Sequence, residues 1–165
     1  MFEQVAAIRG DISVSALIRL LVTDEARRLG IVGQHDELNM LLKRVAMQPL
    51  NVVATVLGAP SKVEVVRPNN TPCQSEPCQK AIYQKGKYEI VFINGLADWI
   101  TINKTLAYRF DTSAIEELGL PDERPSFNNP ESVIRWQNID GLREVSIFNN
   151  GSDRVAYFYI KCTTE

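Results

Sequence analysis

The stretch YEIVFINGLADWITI, residues 88–102, carries the clearest indication of the fold. Two runs rich in β-branched and aromatic residues flank the dipeptide Asn94-Gly95. Because both central positions of a tight hairpin turn need positive φ, Asn-Gly between two such runs predicts a β-hairpin. Residues 62–65 alternate polar and apolar side chains, as a half-buried strand does. The middle of the chain is therefore predicted to be antiparallel sheet.

The first 58 residues show the periodicity of helices, in contrast to the strand alternation described above. Apolar side chains recur at helical spacing in three segments, residues 14–29, 38–45 and 50–57. Pro49 is expected to end the second helix and to open the third, because proline suits the first turn of a helix. Gly58 is expected to end this helical half, since glycine adopts the conformations that close a helix.

The second half of the chain is predicted to copy the plan of the first. Residues 57–60, LGAP, match residues 118–121, LGLP, and residues 92–95, FING, match residues 148–151, FNNG. Two matches in the same order favour a duplication. The alternative is that helix ends and hairpin turns simply reuse glycine, asparagine and proline.

This organisation predicts an α+β fold in three parts. A helical segment, residues 1–48, precedes two helix-plus-antiparallel-hairpin repeats, residues 49–110 and 111–165. The repeats are expected to form one sheet covered by helices.

The repeated unit resembles the helix-then-sheet module of the outer-membrane assembly lipoprotein family BamE and of the secreted β-lactamase-inhibitory protein. The resemblance covers roughly residues 50 to 160 and is carried by the Leu-Gly-x-Pro-like turns at residues 57–60 and 118–121. It implies a sheet face that holds a protein partner and no reaction centre.

The N-terminal helices resemble a different family. Residues 2–11, 12–21 and 25–30 look like the two helices of a ribbon-helix-helix protein, with the SVSALIR opening of residues 13–19 carrying the match. In that family two chains interlock through these helices, and amides at the start of the second helix grip a DNA phosphate. The resemblance implies the following candidate phosphate or DNA contacts: Arg9, Ser13, Ser15 and Arg19.

Three interpretations of this segment stay open. It is an ordinary capped helical hairpin, a dimerisation unit, or the head of a DNA-binding regulator. The ribbon strand of that family precedes the first helix, where this sequence begins at Met1. Residues 1–48 also balance six Arg and Lys against six Asp and Glu, without the excess of positive charge that favours DNA. The ordinary hairpin is therefore favoured.

The chain has three cysteines. Cys162 follows an apolar strand and is expected to be a small buried residue. Cys73 and Cys78 flank a short polar loop, for which free thiols are favoured over a local disulfide, and a disulfide over zinc. A structural zinc needs four ligands, and only Cys162 and the single histidine, His35, remain to complete such a set.

The sequence has no motif that predicts catalysis. Gly-rich phosphate loops and the patterns His-Glu-x-x-His and Gly-x-Ser-x-Gly are missing, and His35 is the one histidine. We therefore predict a non-enzyme with no metal and no cofactor. The start of the chain has no secretory signal and no apolar run is long enough for a bilayer, so a cytoplasmic protein without membrane contact is expected.

The leading prediction is a protein-interaction module that self-associates, most simply as a homodimer. Its alternative is a transcriptional regulator of the ribbon-helix-helix type; nucleic acid is not favoured, since net charge is −2. Tryptophans such as Trp99 and Trp136 are more often core residues than binding platforms. The candidate partner-binding aromatics are Tyr83, Trp99, Trp136 and Tyr157.

Overall fold

The computed structural model describes residues 34–69 and 72–164, with the side chains of residues 34–37 and 74 left out of the description. The chain divides into two compact units, Met1–Glu37 and Leu38–Glu165. Every strand described below belongs to the second unit.

The described residues form two α-helices, three short 3-10 helices and eight strands. The helices are α1 (Gln34–Val45) and α2 (Leu50–Leu57), and the 3-10 helices span Pro72–Gln74, Gln84–Gly86 and Thr112–Leu118. The strands are β1 (Lys62–Val66), β2 (Cys78–Tyr83), β3 (Tyr88–Ile93), β4 (Leu96–Ile102), β5 (Phe127–Asn129), β6 (Val133–Ile139), β7 (Leu142–Asn149) and β8 (Val155–Lys161). None of the helices in this part of the chain is long and apolar enough to cross a membrane.

The eight strands form a single antiparallel sheet in the order β1-β2-β3-β4-β8-β7-β6-β5. Consecutive strands pair as hairpins, while β4 pairs with β8, which places Ile100 opposite Ile160. This long-range pairing joins the two halves of the sheet at its centre. The edges of the sheet are β1 and β5.

The prediction of two helix-plus-hairpin repeats under a layer of helices is wrong. The described residues are mostly this one sheet, and their two α-helices are only 12 and 8 residues long. The matched turns also differ in conformation. Asn94-Gly95 is a two-residue turn with both φ values positive, whereas Asn150-Gly151 opens a five-residue loop before Val155. Both segments use Asn and Gly because each loop needs positive φ or a side-chain acceptor, which is a local requirement.

A turn that the sequence analysis overlooked adds to this difference. Asp140-Gly141 joins β6 to β7 with φ values of 46° and 79°. Asp-Gly is as strong an indication of a hairpin as Asn-Gly. The short helix of the second half is likewise a 3-10 helix capped by Asp111, whose side chain accepts a hydrogen bond from the Ser113 amide at 2.9 Å.

Other local predictions are confirmed. The hairpin of β3 and β4 turns at Asn94-Gly95, and β1 covers the alternating residues 62–65. Pro49 directly precedes α2 as its N-cap, although α1 ends earlier than predicted, at Val45. The apolar stripe predicted on α1 is at most 5% exposed throughout: Leu38, Leu41, Leu42 and Val45.

One face of the sheet, here called the packed face, is buried in the main core. Residues that lie opposite one another across six neighbouring strands are at most 1% exposed: Ala81, Ile90, Ile100, Ile160, Val145 and Trp136. Apolar residues of α1, α2 and the 3-10 helix Thr112–Leu118 belong to the same core. Residues that alternate with the packed ones point to the other side, here called the open face.

Candidate protein-interaction surface

The centre of the open face carries a cluster of aromatic side chains. Strand β8 reads VAYFYIK, in which Phe158 and Ile160 are buried while Tyr157, Tyr159 and Lys161 are half-buried. This alternation follows from the two-residue period of a strand, which sends successive side chains to opposite faces. Neighbouring β4 and β7 add two rings. The resulting aromatic patch comprises Trp99, Phe148, Tyr157, Tyr159 and Lys161.

Direct contacts hold the rings of the aromatic patch in place. Phe148 and Tyr157 stack with ring centroids 4.5 Å apart and planes 18° apart. Trp99 meets Tyr159 edge to face at 5.8 Å. The Trp99 indole Nε1 donates a hydrogen bond of 2.7 Å to Thr164 Oγ1, which fixes the ring orientation. Rigid rings that are already oriented lose little conformational entropy when they bind a partner.

Lys161 is the cation of the aromatic patch. Its Nζ lies 5.1 Å from the centroid of the Trp99 ring, within the range of a cation–π interaction. Among the described residues no carboxylate lies within ion-pair distance of Lys161, whereas other cations of the open face are paired. Lys161 therefore leaves the patch with one positive charge that a partner can neutralise.

The surrounding charges of the open face neutralise one another. Arg135 Nε lies 3.4 Å from Glu144 Oε1, and both side chains contact the fully buried Ser146 hydroxyl, which accepts from Arg135 at 3.0 Å and donates to Glu144 at 2.9 Å. Lys80 and Glu89 form a second pair at 2.5 Å. Burial, with Glu144 adding to it, raises the pKa of Tyr159, so this ring stays neutral at physiological pH.

A disulfide loop forms one border of the aromatic patch. Cys73 and Cys78 are bonded to each other, in place of the free thiols that the sequence favoured. Cys73 is 1% exposed and packs with Cys78 and Ile93 in a small core that half-buried Val91 and Trp99 also join. The disulfide loop therefore packs against the Trp99 end of the aromatic patch. A cavity of about 560 Å³ beside it is lined by Glu76, Pro77, Cys78, Ile93, Asn94 and Gly95, among others.

A buried carboxylate lies behind the patch on β4. Asp98 is 2% exposed and accepts hydrogen bonds from the amides of Cys162 and Thr163, each at 3.1 Å. No local pattern in the sequence separates Asp98 from a solvated carboxylate, because its hydrogen-bond donors lie more than 60 residues further along the chain. Asp140, by contrast, is exposed in the β6–β7 turn.

The four candidate partner-binding aromatics fall into two groups. Trp99 and Tyr157 are half-buried on the open face, where contact with a partner is sterically allowed. Tyr83 and Trp136 are buried on the packed face, so neither can touch a partner in the folded chain. The Trp136 indole donates to the Glu123 carbonyl at 2.7 Å, while the Tyr83 hydroxyl has no hydrogen-bond partner among the described residues.

Sequence reasoning missed three members of the aromatic patch, namely Phe148, Tyr159 and Lys161. The alternation of buried and half-buried side chains in residues 155–161 is sufficient to find Tyr159 and Lys161, but only once β8 is known to lie at the centre of the sheet. That placement depends on the pairing with β4, which no local pattern indicates.

The predicted phosphate or DNA contacts lie outside the described residues, as does the side chain of His35. They are Arg9, Ser13, Ser15 and Arg19. The ribbon-helix-helix interpretation of the N-terminal helices therefore stays a prediction.

Within residues 34–69 and 72–164, no group of three or more His, Cys, Asp or Glu side chains is placed to hold a metal ion. No protein-family model matches the chain, and no curated protein or solved structure matches it either.

Proposed function

We propose that the chain is a non-catalytic protein-interaction module that binds a protein partner on the open face of its sheet. The observation that carries this proposal is the aromatic patch, whose rings are held in fixed orientations at the centre of an otherwise charge-balanced face. Aromatic residues with a polar surround are the usual anchors of protein interfaces.

The chemistry of the patch specifies the partner. Trp99, Phe148 and Tyr157 offer apolar ring surface, and Lys161 offers a cation without a carboxylate among the described residues. A segment that presents an apolar side chain beside an Asp or Glu would fill both requirements at once. The paired charges around the patch would form a polar rim that selects against segments of strong charge of either sign.

Photo-crosslinking tests this proposal. A benzophenone amino acid is placed at Tyr157 in the patch and, as a matched control, at Met40, which is 53% exposed on α1. Each protein is irradiated in an extract of the cells that make it. A protein that is crosslinked from position 157 and not from position 40 is then purified.

The affinity of the purified partner for variants of this chain then tests whether it binds the aromatic patch. Tyr157→Ala is expected to raise its Kd by about tenfold or more, since central aromatic anchors dominate interface energy. Lys161→Gln is expected to raise the Kd less, and Met40→Ala not at all. Crosslinks that are equal at the two positions, or a Kd that Tyr157→Ala leaves unchanged, would overturn the proposal.

A further inference from the structure

The two edges of the sheet are protected to different degrees. Strand β5 has only three residues, and Pro125 and Pro130 lie close to its ends, which limits pairing with another strand. Strand β1 has five residues and no proline, and no described strand pairs with its outer side. Alternate residues of an unpaired edge direct their amide and carbonyl groups outward, where they can accept a further strand.

The side chains of β1 are also unusual for an edge. Val63 and Val65 are 47% and 71% exposed and lie on the side of the packed face, since Val63 is opposite the buried Ala81. On the open-face side, Lys62 Nζ lies 2.6 Å from Glu64 Oε2. The charges that commonly block an edge are here of opposite sign and two residues apart. Such a pattern is complementary to itself when the strand is reversed.

We infer that β1 pairs antiparallel with β1 of a second copy of this chain, in a register centred on Val63. A two-fold axis at Val63 places Lys62 opposite Glu64 of the second copy and Glu64 opposite Lys62 of the second copy. Val63 then faces its own equivalent on the packed-face side. Opposite charges and apolar pairs at directly opposed positions are the arrangements that stabilise antiparallel strands.

The neighbouring symmetric register is disfavoured by the same chemistry. A two-fold axis at Glu64 would set Glu64 directly opposite Glu64 of the second copy, and like charges opposed across strands destabilise the pair. Registers centred between two residues are excluded, because they would place residues of opposite faces against each other. Val63 is therefore favoured over Glu64 as the centre, and also over Val65, which would set Glu64 opposite Val66 and lose both opposite-charge pairs.

Charge exchange on this strand gives a test with its own control. Lys62→Glu and Glu64→Lys each place two like-charge pairs across the two-fold axis, so each variant alone is expected to dimerise at least about tenfold more weakly than the wild type. A mixture of the two variants restores both opposite-charge pairs and is expected to form a heterodimer. The double variant Lys62→Glu/Glu64→Lys is expected to dimerise with itself and not with the wild type.

Sedimentation velocity over about 1 µM to about 1 mM measures these equilibria, a range that suits an interface of small area. A cysteine at Val63 is expected to form a disulfide-linked dimer on oxidation, because it faces its own equivalent, whereas one at Val65 is not. Circular dichroism checks that each variant folds; should Glu64→Lys fail to fold, the Lys62→Glu and cysteine variants still decide the outcome.

A wild type that stays monomeric at the highest concentration would overturn the inference. So would a Lys62→Glu variant that dimerises as well as the wild type, or crosslinking that is stronger at position 65 than at position 63. The open-face proposal is tested separately, because Tyr157→Ala leaves β1 unchanged and is expected to keep wild-type dimerisation.

Discussion

The carboxylate of Asp98 in β4 accepts a hydrogen bond of 2.7 Å from the hydroxyl of Thr163, which lies beyond the end of β8. The same carboxylate accepts from the backbone amides of Cys162, Thr163 and Thr164, so Asp98 ties this C-terminal segment to the centre of the sheet. Thr164 in turn accepts the hydrogen bond of the Trp99 indole. Asp98 therefore acts on the open face indirectly, because it positions the residue that orients Trp99.

Asp98→Ala is expected to lower the free energy of unfolding by about 2–3 kcal/mol, because charge-assisted hydrogen bonds are lost and the buried Cys162 amide loses its carboxylate acceptor. Urea denaturation measures the change. Asp122→Ala, at an exposed loop position, serves as the control and is expected to shift stability by less than about 0.5 kcal/mol. Equal effects of the two substitutions would show that Asp98 does not act as this anchor.

The contact between Gly119 and Asn39 gives a second prediction. Gly119 has φ of +71°, and a Cβ atom there would overlap the Asn39 side chain. Gly119→Ala is expected to destabilise the fold by about 2–3 kcal/mol, from backbone strain and steric overlap together. Gly141→Ala, at φ of +79° with nothing within 4 Å, is expected to show only the strain, about 1 kcal/mol. Thermal unfolding compares the two.

Shortening Asn39 separates the two contributions at Gly119. In an Asn39→Ala background, the cost of Gly119→Ala is expected to fall to that of Gly141→Ala. A cost that stays the same in both backgrounds would mean that overlap with Asn39 plays no part.

The disulfide between Cys73 and Cys78 gives a third prediction. It closes a loop with a sequence separation of 5, for which restriction of the unfolded chain contributes about 2 kcal/mol. Cys73→Ala/Cys78→Ala is expected to lose at least that much in urea denaturation. Dithiothreitol is expected to destabilise the wild type by a similar amount and to leave the double variant unchanged. A wild type that is insensitive to the reductant would contradict this account.

Local features of this chain were predictable because their causes lie within a few residues. Asn94-Gly95 requires positive φ whatever surrounds it, and the α1 stripe of Leu38 to Val45 follows from helical spacing. The Asp140-Gly141 turn was equally readable and was overlooked. The same locality misled the repeat prediction, because similar turn residues at 92–95 and 148–151 recur for local reasons without implying equivalent structural units.

The candidate site depends on contacts that no short window contains. The pairing of β4 with β8 brings Trp99 opposite Lys161, 62 positions further along the chain. The burial of Asp98 depends on donors that follow β8, a neighbour of β4 in the sheet but distant from it along the chain. Tyr83 and Tyr157 are both tyrosines within apolar strands. Tyr83 is a core residue and Tyr157 a surface residue only because they lie on opposite faces of the sheet.

Cys162 links the stability of the fold to alkaline pH. Burial, with the Asp98 carboxylate adding to it, raises the pKa of its thiol from 9.0 to about 12. In the unfolded chain the thiol ionises near its ordinary pKa, so between about pH 9 and about pH 12 the unfolded state binds fewer protons than the folded state. The contribution of this thiol to stability is therefore complete below pH 9 and is lost as pH rises towards 12.

Cys162→Ala is expected to be less stable at neutral pH, because a buried atom is removed, but its stability should fall less steeply above pH 9. Urea unfolding of both proteins across this range measures the two slopes, and parallel curves would rule out the titration of Cys162 as a cause.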